Sequence, residues 1–409
     1  MFAYIIGVVL FALGIGIAVA LHEFGHMLTA KAFGMKVRRY FIGFGPKIYS
    51  FRRGGTEYGL KAIPAGGFCD IAGMTALDEV TEEEAPHAMW RYPTWKRVVV
   101  LGAGSVTHFI LGFVILYLMS LTIGLVNTND TPQVSSVAQC VSDVNLKTLS
   151  NVPCQPGMPA PAKSAGLQAG DKIISVGGVP TSTFTAVSTQ VEKSNGPTQF
   201  VIDRGGRQLN LTIDVAQVQG LTVAQQNAST TPTHLSPIGM IGVVPARYIQ
   251  YNAVTGLGGT IGYTGQMFAD VWTGLKQLPN KVPSLISAIG GAKRDANSPM
   301  SVVGVSRLGG EAVQDSQWAL FWLLLATLQF FLGVFNLLPL LPLDGGHIAV
   351  ALYEKVRDGL RRLRGRPAGG PVDYTKLAPL TLVVVFLGGA MVLLSVTADI
   401  VNPIRLNGQ

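Results

Sequence analysis

Residues 1–30 read MFAYIIGVVLFALGIGIAVALHEFGHMLTA. An apolar helix of about 20 residues crosses the hydrocarbon core of a bilayer. A charge near the middle of such a helix costs about 3 kcal/mol or more. Yet His22, Glu23 and His26 belong to the same run. Residues four apart share a helix face, so His22 and His26 can direct two imidazoles at one metal ion. Glu23 lies beside them, within reach of a water held there. HExxH is the arrangement of a zinc hydrolase: two ligands and a general base. Polar groups inside a span are functional by default. Lys31 marks the nearer membrane face, and at about 1.5 Å per residue the two histidines lie roughly 8–14 Å inward from it. Water reaches that depth only through a cavity lined by protein. Ala18-Val19-Ala20 resembles a signal-peptide cleavage site, but no basic residue precedes the long apolar run, so the segment is expected to be retained.

The chain has 409 residues, 48% hydrophobic and 13% charged. Soluble proteins carry about 25% charged residues, so the composition points to membrane spans. Four segments are long and apolar enough: 4–32, 97–126, 317–341 and 378–401. The net charge of +8 would suggest a nucleic-acid partner in a soluble chain. Here the charge is concentrated between spans, and no nucleic acid is expected. Lys36, Arg38, Arg39, Lys47, Arg52, Arg53 and Lys61 lie between the first two spans. Lys355, Arg357, Arg361, Arg362, Arg364 and Arg366 lie between the last two. The positive-inside rule makes both basic loops cytoplasmic and puts the long middle segment and both termini outside.

Four regions are expected: a first half of a membrane core over 1–126, a folded outer module over 131–217, a linker with a surface segment over 218–316, and a second half of the core over 317–409. Within the module, SAGLQAGDKIISVGGVP reads as a helical turn, a strand over Lys172–Val176 and a Gly-Gly turn. Thr185–Lys193 suits a helix. TQFVIDR and RQLNLTIDV form a hairpin around Gly205-Gly206, and VSSVAQCV could be a first strand. Polar residues 218–237 look like a linker. The mildly amphipathic stretch 251–294 suits a helix on the outer membrane surface or on the module. Residues 298–310 need be no more than a turn. Cys140 and Cys154, close in sequence and outside, form either one bridge or two free thiols.

A zinc hydrolase site usually has three protein ligands and an open position for water. The candidate stretch for the third is FFLGVFNLLPLLPLDGGHIAV, residues 330–350. Pro339 and Pro342 interrupt a helix there, and Gly345-Gly346 permit close backbone approach. Asp344 is the candidate ligand or a helix N-cap; His347 is a rival ligand.

HEFGH in the first span with NLLPLLPLDGGH in the third resembles the site-2 protease family of intramembrane zinc metalloproteases. SAGLQAGDKIISVGGVP resembles the PDZ module of its bacterial, RseP-like branch, and the resemblance extends over nearly the whole chain. It implies a multi-span α-helical membrane protein of about four spans, with an inserted extracytoplasmic PDZ-like α+β domain and a membrane-associated β-loop. It implies that one Zn²⁺ is bound by His22, His26 and Asp344, that Glu23 activates water, and that Asn336 contacts substrate. Residues 43–70, GFGPKIYSFRRGGTEYGLKAIPAGGFCD, match a region that in the family forms a β-structured loop able to align substrate by strand addition. Gly66, Gly67 and Phe68 of that loop, with Pro339, are therefore candidate substrate contacts. The implied substrates are single-span membrane proteins of the anti-sigma-factor or remnant-signal-peptide type. The implied location is the bacterial inner membrane, in contact with lipid, with the site toward the cytoplasmic side. Ser105 and His108 depart from the family's usual proline and asparagine, and His108 is expected to be a structural polar contact. A catalytically inactive PDZ membrane scaffold and a metal transporter are the alternatives.

Overall fold

The structure is a computed structural model that describes residues 1–75, 77–146, 148–226, 233–295 and 297–406. The chain divides into two compact units, Met1–Thr122 with Asn252–Gln409, and Ile123–Tyr251.

The first unit is helical. Its helices are α1 (Phe2–Ala32) and α2 (Thr94–Thr122) before the insertion. A helix of the second unit, α3, spans Phe184–Glu192. After it come α4 (Ala253–Ile289), α5 (Val302–Gln314), α6 (Trp318–Asn336), α7 (Asp344–Leu363) and α8 (Ala378–Val401). Among the described residues, α1, α2, α6 and α8 are the four long and apolar enough to cross a membrane. The third expected span ends at Asn336 rather than 341, because the Leu-Pro sequence that follows turns the chain before α7.

Lipid tails are as apolar as leucine, so these helices associate by close packing at small residues. A Cβ on Gly25 would stand 2.8 Å from the Ala103 carbonyl oxygen of α2, and one on Gly112 would stand 2.8 Å from Phe330 of α6. The expected turn at 298–310 is instead helix α5. Ser301 caps it by accepting from the Gly304 amide, and Gly310 packs against Val8 and Tyr4 of α1. Small residues that read as a loop were a helix-packing surface. The amphipathic stretch is α4, whose buried face meets the same unit: Phe268 lies 4.9 Å from Phe109 of α2 and 5.2 Å from Phe330 of α6.

Between α1 and α2 a long antiparallel hairpin forms, β1 (Val37–Arg53) and β2 (Thr56–Ile71), turning at Gly54-Gly55 with φ of 59° and 74°. It is anchored to α1 by the Tyr40 hydroxyl, which donates to the Ala20 carbonyl at 2.8 Å.

The second unit holds a five-stranded antiparallel sheet. Its strands are β3 (Lys172–Val176), β4 (Val179–Pro180), β5 (Gly196–Arg204), β6 (Arg207–Gly220) and β7 (Ser236–Met240), in the order β7-β6-β5-β3-β4. The core joins Ile173, Phe200, Ile202 and Ile213 of the sheet to Val187 and Val191 of α3. The expected linker at 218–237 is in part sheet: β6 runs on to Gly220 and pairs with β7, aligning Val218 with Ile238. The polar composition hid the alternating apolar residues that pay for that pairing. Residues 227–232 of that stretch lie outside the described residues. VSSVAQCV contributes the strand Val134–Val137, which pairs with Val243–Pro245 rather than with the five-stranded sheet. Cys140 and Cys154 are joined by a disulfide, with Cα atoms 5.8 Å apart.

Candidate metal centre

Helix α1 places His22 and His26 one turn apart, as the four-residue spacing requires, and both side chains are buried. Asp344 arrives at the first turn of α7. It does so because Gly345 and Gly346 let α7 start hard against the preceding turn. A Cβ at Gly345 would stand 2.2 Å from the Leu337 carbonyl oxygen, and one at Gly346 would stand 2.6 Å from the Leu340 carbonyl carbon. Asp344 is not the N-cap: that position is Leu343, which makes no side-chain capping bond.

The three side chains converge. His22 Nε2 and His26 Nε2 are 3.2 Å apart, and each is 3.4 Å from Asp344 Oδ2. Ligands held at zinc–nitrogen and zinc–oxygen distances in a tetrahedron stand about 3.3 Å from one another. The protonation pattern agrees. His26 Nδ1 donates to the Val100 carbonyl at 2.7 Å, which leaves the Nε2 lone pair facing its neighbours. Asp344 Oδ2 is buried and has no hydrogen-bond donor. Two imidazole nitrogens and a carboxylate oxygen thus face one another across a gap of cation size. A divalent metal resolves that arrangement, and the two-imidazole, one-carboxylate set is one that zinc takes in hydrolases. His347 is outside this group; its Nδ1 lies 3.3 Å from the Tyr374 hydroxyl.

A cavity of about 280 Å³ opens onto the cluster, lined by Val19, His22, Glu23, Phe44, Gly66, Gly67, His108, Leu332, Asn336, Pro342, Leu343 and Asp344. Glu23 is therefore on the same cavity wall as the ligands. The hairpin comes close enough that a Cβ on Gly67 would stand 3.2 Å from Glu23 Cγ. Of the expected substrate contacts, Asn336, Gly66 and Gly67 reach this cavity. Phe68 and Pro339 do not line it. Phe68 stacks on Phe41 at 5.6 Å and on Phe44 at 6.1 Å. Pro342 lines the cavity where Pro339 was expected.

Sequence reading missed what α2 does. Gly104 backs the cluster: a Cβ there would stand 2.4 Å from His26 Nε2 and 2.5 Å from His22 Cε1. His108 makes the expected polar contact and also lies against the cluster. Its ring centroid is 4.9 Å from that of His22, and its Nδ1 lies 2.8 Å from Gln329 Oε1 of α6. The one available signal was polar and small residues at four-residue spacing in an otherwise apolar span.

Comparison with known proteins identifies the family. The sequence profile of peptidase family M50 matches residues 10–378. The zinc metalloprotease Rip1 of Mycolicibacterium smegmatis is 46% identical over 407 residues, covering 98% of both chains. Rip1 of Mycobacterium tuberculosis H37Rv is 44% identical over 410 residues, covering 98% of this chain and 99% of the relative. The metalloprotease MmpA of Caulobacter vibrioides is 26% identical over 398 residues, covering 90% and 92%. Neither an inactive scaffold nor a metal transporter is favoured by these relatives. Matched across most of its length, the chain belongs to peptidase family M50, the site-2 proteases, and is an intramembrane zinc metalloprotease.

Proposed function

We propose that each chain holds one zinc ion on His22 Nε2, His26 Nε2 and Asp344 Oδ2, and that Glu23 is the general base of peptide hydrolysis. The observation that carries this reading is the convergence of two imidazole nitrogens and a buried carboxylate oxygen at 3.2–3.4 Å from one another. When bound there, zinc supplies Lewis-acid polarisation of a carbonyl and acidifies water. Glu23 then takes a proton from the attacking water and returns it to the leaving amine nitrogen. His26 is held in orientation by the Val100 carbonyl throughout. Asn336, across the cavity, offers an amide to an unwound backbone or to the developing oxyanion. Gly66 and Gly67 lack side chains, so an extended segment can come up to β2 beside Glu23.

The substrates are single-span membrane proteins, of the anti-sigma-factor or remnant-signal-peptide type. Cleavage falls within or near the span. The module of residues 123–251 restricts access to substrates whose outer domain has been trimmed, and it lies outside an inner membrane whose cytoplasmic face carries the basic loops. The density of Lys and Arg in those loops supports this sidedness.

Glu23→Gln tests the mechanism. In purified, reconstituted protein it should keep zinc and lose about 10²–10⁴-fold in cleavage of a single-span substrate. Undiminished turnover would remove Glu23 as the base. Zinc analysis of Asp344→Asn tests the ligand set: an unchanged zinc content would move the third ligand elsewhere.

A further inference from the structure

Helix α7 does more than carry Asp344. It has two unlike long faces. On one, Ala351 and Glu354 are buried, and Glu354 accepts from Arg97 of α2 at 2.8 Å. On the other, Leu352, Tyr353, Val356, Leu360 and Leu363 are 47%, 58%, 61%, 51% and 86% exposed. At 100° per residue these five fall in one stripe about 100° wide, pointing away from α2. Lys355 and Arg362 flank the stripe on one side, Arg357 and Arg361 on the other, and Arg364 follows the last turn. The acids of the helix face elsewhere: Glu354 pairs with Arg97, and Asp358 with Arg357.

The level of this stripe is set by its neighbours. Helix α7 starts at the buried cluster, meets Gly102 of α2 through Ile348, and reaches Arg97 near that helix's N-terminus through Glu354. The Glu354–Arg97 pair puts its second half beside Trp95, which is 56% exposed, and Lys96, whose ammonium lies over the Trp95 ring at 5.7 Å. Exposed tryptophan and lysine at a span's end mark the membrane–water boundary. An apolar stripe rimmed by Arg and Lys at that level has the composition of a helix lying in a headgroup layer. Cationic flanks select anionic headgroups, each Lys or Arg near the surface adding about 1 kcal/mol, or roughly fivefold.

We propose that α7 docks its Leu352–Leu363 face on the membrane surface by binding anionic phospholipid, through Lys355, Arg362 and Arg364. The inference requires only that the chain sits in a bilayer, not that Asp344 binds zinc. The test is hydrogen–deuterium exchange of the full chain in nanodiscs of phosphatidylcholine alone or with phosphatidylglycerol, at low and high salt. Exchange over 352–363 should slow several-fold in the anionic discs and recover at high salt. The triple variant Lys355→Gln, Arg362→Gln, Arg364→Gln should lose that slowing. Its exchange over 97–115 of α2 should stay as in the parent, which shows that the fold is kept. Equal exchange in both lipids overturns the proposal. So does protection that follows the number of protein copies per disc, which would make the stripe a protein–protein contact.

Discussion

Two buried polar clusters in the helical unit make an instructive pair. One is His22, His26 and Asp344. The other joins Arg294, Ser301 and Asp399 near the end of α8. In the second cluster every group is matched. Arg294 meets Asp399 Oδ1 at 2.7 Å and donates to Ser298, Pro299 and Asn402. Asp399 Oδ2 accepts from the Ser301 amide at 2.7 Å and hydroxyl at 2.6 Å. Asn402 in turn donates to the carbonyls of Ala288 and Ala292. That network ties the ends of α4, α5 and α8 together and asks for nothing more. The first cluster turns three ligand-type atoms on one point and leaves Asp344 Oδ2 and His22 Nδ1 without a hydrogen-bond partner. Burial of charge is common to both, so burial alone does not identify a functional site. The unmet requirement for positive charge does.

The sharpest way to break this contrast is to remove one member of each cluster. His26→Ala should abolish cleavage and reduce bound zinc to background, as seen by metal analysis of the purified protein, while the thermal midpoint of the zinc-free protein changes little. Arg294→Met should do the reverse. It strands Asp399 and should cost about 3–5 kcal/mol in stability, read as a lower thermal midpoint, with zinc content per folded chain unchanged. If Arg294→Met lost zinc while His26→Ala lost only stability, the two clusters would have been assigned the wrong way round.

A smaller effect sharpens the boundary of the metal site. Gly104→Ala puts a methyl group 2.4 Å from His26 Nε2. It should weaken zinc affinity by about 10–100-fold, the range seen when the shell behind metal ligands is disturbed. Competition with a chelator measures this. The smallest effect comes from a third, more exposed cluster. Arg38 donates to Glu84 at 2.9 and 2.8 Å, and the guanidinium holds the Glu84 carboxyl below its usual value. A carboxylate lowered on folding stabilises above its unfolded pKa, and that contribution is lost as pH falls through the folded value. Glu84→Gln should therefore lower the thermal midpoint slightly at neutral pH, and the difference should close in acid.

The two motifs were legible in sequence for different reasons. HEFGH declares itself because helical spacing and an apolar setting together leave few other readings. The prolines and glycine pair that break the third hydrophobic run pointed to its neighbourhood, and the family resemblance chose Asp344 over His347. Strands Lys172–Val176 and the Gly205-Gly206 hairpin followed from alternation and turn chemistry. What escaped was anything defined by a partner. Gly104 matters only through the imidazoles it touches, and a lone glycine in an apolar helix carries no such label. Residues 298–310 read as a turn because glycine lowers helix propensity, whereas close packing against Gly7 and Tyr4 of α1 favours the helix Val302–Gln314. β7 was hidden by its polar approach, and which residues of the hairpin line the cavity depends on a register that sequence does not give.

In the proposed site the zinc ligands stand at positions 22, 26 and 344, with the whole inserted module synthesised between them. Translation order therefore becomes a timing device. A growing chain exposes its HEFGH helix to the membrane early, but it has no third ligand until Asp344 has been made and α7 has folded against α2. Proteolytic capacity arises once, late, and only in chains whose two halves have found each other, so an unfinished or misassembled copy is harmless to neighbouring membrane proteins.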